Sequence, residues 1–167
     1  MMTNKKIDEL IKCSKAIIDA SPKNGMAPDK KSSFIIRKKL RIQSEDEQYF
    51  FDVFMRHHTM LIEQFSIGLL FKTDDKTIGK ITLIRYNGEH GQSDWSKNNH
   101  YSAFHTHKIT EELLDKGVYE PKHIERTDKF TTFDSALNEF LRHVNIINLA
   151  EYFPHADKQL PLFEGEY

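Results

Sequence analysis

Cysteine is all but absent: Cys13 is the only one in 167 residues. A single thiol excludes an internal disulfide framework and any metal site built on a CxxC pair. It fits a reducing compartment, so a cytoplasmic location is expected. An excess of one charge is lacking too. Lys+Arg number 24 against 25 Asp+Glu, a net charge of −1, which excludes a globally basic binder and confines any nucleic-acid contact to a local patch. No apolar run reaches the roughly 18 residues of a membrane helix, so no membrane span and no membrane partner is expected. The opening MMTNKKIDELIKCSKAIIDA spreads charges along its length and is not read as a signal peptide. Internal repeats and low-complexity segments are also missing.

What is present suits one soluble domain with an aromatic lean, Phe alone numbering 12. Ile7, Leu10, Ile11, Ile17 and Ile18 recur at the helical period and predict a helix over residues 4–20, capped by Thr3 or Asn4. SPKNGMAPDKK, with two prolines and a glycine, reads as a linker loop over 21–31. From Ser33 the period becomes two. The stretch after it, QYFFDVFMRHH, FSIGLLFKT, IGKITLIRYNG and YSAFHTHKI read as successive strands, and KHIERT as a further short one. Thr110 caps a short helical turn that Gly117 stops, and Thr132 caps a final helix over about 133–148. The expected fold class is α+β: one antiparallel sheet of about five strands, with an N-terminal helix and a C-terminal helix packed on it. The expected organisation is a helix over 1–20, the linker, an α+β domain over 32–149 and an extended tail over 150–167.

Histidine is abundant, at nine. His90, His100, His105, His107 and His123 crowd one part of the chain, and the spacing in FHTHK puts His105 and His107 on one side of a strand. Three readings stay open: ordinary hydrogen-bonding side chains, two imidazole ligands of a metal, or a general acid and base facing one substrate. In the last case Arg85 and Lys108 would hold a phosphate. No metal or other cofactor is assigned. HTHKITEELLDKG begins like a cupin motif, but the preceding glycine and the second motif are missing. HHT at 57–59 supplies half of a 2H-phosphoesterase signature and no more.

Residues 65–145 resemble small toxin–antitoxin proteins of the TumE-like type. The shared features are a strand ending LIRYNG, a polar loop, HxH on the next strand and a closing TFDSALNEFL helix. The resemblance implies a small cytoplasmic toxin component acting on RNA, with an antitoxin as partner. Under it the chain would be a histidine-dependent, ribonuclease-like toxin.

KKSSFIIRKKLR holds basic residues and no acidic one, and period two puts Arg37, Lys39 and Arg41 on one strand face. Such a stripe suits a phosphate backbone. It equally suits an edge strand kept from pairing by charge.

The chain ends DKQLPLFEGEY. Pro154 cannot continue a helix, and Pro161 forces Leu160 to be extended. QLPLF resembles the bacterial sliding-clamp-binding motif. The resemblance implies that Gln159 hydrogen-bonds at the rim of the clamp's groove, Leu160 adds apolar contact, and Leu162 and Phe163 fill its pocket. Burial of these three apolar side chains is worth about 5–8 kcal/mol before ordering costs, which suits a transient partner. The function expected from these features is a bacterial or mobile-element protein that binds the replication clamp through its tail.

Overall fold

A computed structural model describes residues 2–89 and 103–154. Its strands are β1 (Lys15–Ser21), β2 (Ala27–Pro28), β3 (Ile35–Ser44), β4 (Phe50–His58), β5 (Phe65–Lys72), β6 (Lys80–Asn87), β7 (His105–Lys108) and β8 (His123–Arg126). The described helices are α1 (Asn4–Lys12), α2 (Glu111–Asp115), α3 (Phe133–His143) and α4 (Leu149–Tyr152). The fold is α+β with one antiparallel sheet, ordered β1-β3-β4-β5-β6-β7-β8, and β2 pairs β3 beside β1. Among the described residues no helix is long and apolar enough to cross a membrane.

The sheet has eight strands rather than about five. One addition comes from the segment expected to extend the first helix. Thr3 caps α1 as expected, but the helix stops at Lys12, because Cys13 takes an extended ψ of 148°. Residues 15–21 then pair with β3. The β-branched pair Ile17–Ile18 mimics a helical stripe in spacing while preferring a strand. Lys15 makes the break permanent. Its buried ammonium donates to the carbonyls of Ile11 (2.7 Å) and Cys13 (2.7 Å) at the end of α1, and to Val144 (3.0 Å) at the end of α3.

The 21–31 segment is fastened to the body rather than a free linker. It contributes β2, and the Lys38 ammonium gathers the carbonyls of Pro22, Lys23 and Gly25. The last long helix starts at Thr132, whose capping box with Ser135 is complete, but it ends at His143 instead of near 148. Asn145 adopts a left-handed φ of 56°, which asparagine tolerates and which terminates a helix. The chain then turns onto the outer edge of β1. Ile147 N donates to Lys15 O, and the Asn148 side-chain amide pairs with both backbone groups of Ile17.

The two sheet faces differ in chemistry. Leu40, Val53, Met55, Ile67, Leu69 and Tyr86 share one face and are buried in the core with α1 and α3. Tyr86 stacks on Phe130, meets Phe140 edge-on and hydrogen-bonds His143 Nδ1 at 2.8 Å. Of the positions of opposite parity on β3 and β4, Arg37, Lys39, Arg41 and Arg56 are exposed, whereas Asp52 is buried.

Candidate functional site

Register across this second face, exposed at Arg37, Lys39 and Arg56 but buried at Asn87, His105 and His107, brings together residues far apart in sequence. One cross-strand row runs Arg37, Arg56, Ser66, Asn87, His105, Arg126 from β3 to β8. The next row runs Lys39, Phe54, Gly68, Arg85, His107, Ile124. Neighbours within a row lie about 5 Å apart, the strand spacing. Arg37, Arg56, Arg85 and Lys39 therefore gather on one side of the sheet, with Arg126 exposed beyond the buried Asn87 and His105, although the chain as a whole carries no excess of positive charge.

The middle of the first row is a fixed hydrogen-bond chain. Ser66 Oγ donates to Asn87 Oδ1 at 2.7 Å, and Asn87 Nδ2 reaches His105 Nε2 at 3.4 Å. His105 Nδ1 meets the Ala103 carbonyl at 2.7 Å. A carbonyl only accepts, so Nδ1 carries the proton and Nε2 is the acceptor for Asn87. His105 is fully buried, and the His107 ring stands edge-on to it at 4.9 Å. Arg85, directly across from His107, is half-buried. Its Nε is a buried donor with no hydrogen-bond partner among the described residues. A pocket of about 290 Å³ opens here, lined among others by Arg56, Arg85, Ser66, Phe65, His58 and Asn87.

Two residues further along each strand lies a different cation cluster. Asp52 on β4 is buried, and Lys80, Lys72 and Lys39 reach its carboxylate at 2.6, 3.0 and 3.3 Å. Burial pushes the Asp52 pKa up, but the hydrogen bonds from Lys80 and Lys72 outweigh it and hold the carboxyl below its usual range. Three ammonium groups around one carboxylate leave the cluster positive. Between it and the arginine pocket sits Phe54. Its ring lies over Gly68 on β5, where a Cβ would come within 2.3 Å of it. Glycine at 68 is what makes room for the ring, which is part-exposed.

The expected site residues divide accordingly. His105, His107 and Arg85 come together on this face, the two histidines buried and Arg85 half-buried. Lys108 does not: it points to the helical face, where it pairs with Asp8 of α1. His123 sits opposite Lys108 on β8 and shares that other face. His90 and His100 lie outside the described residues. Among the described residues no group of three or more His, Cys, Asp or Glu is arranged to hold a metal. Arg37, Lys39 and Arg41 do line one face, but the edge-strand explanation for them fails, because β3 is paired on both sides. Lys38, between them, is turned inward. Phe54, Arg56, Ser66, Asn87 and Arg126 escaped the sequence reading, and period two along QYFFDVFMRHH would have placed Phe54 and Arg56 on a common face. Gln159, Leu160, Leu162 and Phe163 lie outside the described residues.

Compared with protein-family models, with curated proteins and with solved structures, the chain matches none of them.

Proposed function

We propose that this protein binds a nucleic acid on the exposed part of this sheet face, around Arg56 and Phe54. The observation that carries the reading is the group of cations Arg37, Arg56, Lys39 and Arg85 on neighbouring strands of that face; Arg126 is exposed beyond the buried Asn87 and His105. Guanidinium groups meet phosphate oxygens with two parallel hydrogen bonds, and a surface bearing several of them suits a phosphate chain. The geometry favours holding over cutting. A two-histidine, ribonuclease-like toxin mechanism needs both imidazoles to exchange protons with substrate. His105 is fully buried, with Ala103 and Asn87 on its two ring nitrogens. Its role is to orient Asn87 and support His107.

The test is fluorescence anisotropy of labelled oligonucleotides with the full chain, repeated over a range of salt. Binding should weaken steeply with salt, and Arg56→Gln or Arg85→Gln should each lower the log–log salt slope by about one. Absence of binding at low salt, or an unchanged slope in both variants, would overturn the reading.

The pentapeptide Gln159–Phe163 supports a second, independent reading: the tail engages the bacterial sliding clamp and delivers the sheet to replicating DNA. The full chain and its Leu162→Ala/Phe163→Ala variant are compared for binding to purified clamp. Micromolar binding lost in the variant is expected, and equal binding by both would sink it.

A further inference from the structure

The order of contacts along β4 says which form of nucleic acid the face fits. Asp52 with its three lysines, the Phe54 ring and Arg56 are alternate residues on one strand, so they share a face and follow one another at about 6.6 Å. The sequence of chemistries is cation cluster, aromatic ring, cation. Arg85 on β6 stands in the row of Phe54 and Gly68 and lines the same pocket as Arg56. A duplex offers phosphates to both cation groups, but its bases are stacked inside and leave the ring nothing to meet. A single strand presents phosphates on either side of an unstacked base.

Resting on the nucleic-acid reading above, we infer that the occupant is single-stranded, with one base stacked on Phe54 and its flanking phosphates held by the Lys39–Lys72–Lys80 cluster and by Arg56 with Arg85. Gly68 is part of the recognition, because its missing side chain makes room for the ring over β5. Stacking on a ring is tolerant of base identity, so the preference is for strandedness more than for sequence.

The experiment titrates the full chain into a labelled strand of about 12 nucleotides, within the usual range of single-strand site sizes. The strand is used as RNA and as DNA, each alone and annealed to its complement. Tighter binding of either single strand than of its duplex is expected. Phe54→Leu should weaken the single strand by roughly tenfold or more and leave the duplex unchanged, while Phe54→Tyr, which keeps a ring, should bind as the parent does. Arg56→Gln should weaken both forms alike. Unfolding midpoints of both Phe54 variants check that the sheet is intact. Equal affinity for duplex and single strand, or an unchanged Phe54→Leu, overturns the single-strand inference while leaving the nucleic-acid reading standing. No binding of any oligonucleotide removes that reading itself.

Discussion

Arg37 and Arg56 stand directly opposite each other across β3 and β4. Like charges in that position repel. Arg37 has Asp29 to answer its charge, whereas Arg56 has no acidic partner among the described residues. Asp29 offsets part of the repulsion between the two guanidinium groups, and an anion at Arg56 would relieve the rest. Arg56→Gln should raise stability by about 0.5 kcal/mol at low salt, with the gain fading as salt screens the pair. The same change should weaken oligonucleotide binding several-fold. Thermal unfolding at two ionic strengths, beside the binding assay, measures both.

Asp52 predicts the opposite pair of signs. Asp52→Asn leaves Lys39, Lys72 and Lys80 facing one another without their shared carboxylate. The lysines are part-exposed, so the loss should be about 1–2 kcal/mol, below that for breaking a buried pair. The face becomes more positive, and oligonucleotides should bind more tightly. A variant that is less stable and binds no better would count against the cluster as a phosphate contact.

His143 predicts an acid-side loss. Burial lowers its pKa below the usual 6.5, helped by the charges of Lys12, Lys129 and Lys108 and opposed by Glu139. Below about pH 6.5 the unfolded chain takes a proton that the folded chain refuses, so stability falls as pH drops. His143→Gln keeps a polar partner for the Tyr86 hydroxyl and removes the titration. Urea midpoints between about pH 7.5 and 5 should fall less in the variant than in the parent.

Lys15 predicts a change at the alkaline end. Burial lowers its pKa from the usual 10.5 to about 8. Between those values the unfolded chain binds the extra proton, so this residue makes stability rise with pH across that window. Lys15→Met removes the rise. It also strips a donor from three carbonyls, at about 1–3 kcal/mol each, offset in part by no longer burying an ammonium. A net loss of about 2 kcal/mol is expected near neutral pH. Urea unfolding at about pH 7, 9 and 10 should show the parent pulling further ahead of the variant as pH rises.

Period-two patterning found β3 to β6 and the basic face of β3, because each side-chain position on a strand is committed to one side of the sheet. Thr3, Thr110 and Thr132 marked helix starts for the same local reason: a hydroxyl caps the amides two or three residues on. Residues 15–21 were misread because Ile17 and Ile18 fit both periods, and only pairing with β3, a tertiary event, chooses between them. The candidate site was legible in pieces. Arg85 and the His105–His107 pair could be singled out, but their placement beside Arg56, Ser66 and Phe54 depends on strand order and register, which no local spacing encodes. Gly68 is the sharpest example: its meaning lies in a ring on the neighbouring strand.

The way the chain closes around β1 leaves the sheet with unequal borders. Asn145, Ile147 and Asn148 occupy the hydrogen-bonding groups of Lys15 and Ile17, so that border offers little template for another copy. Among the described residues the opposite border is β8, only four residues long, with His123, Glu125 and Arg126 exposed. Strand addition, whether by a partner or in unwanted fibre growth, is therefore channelled to the β8 side, where shortness and charge are what restrain it.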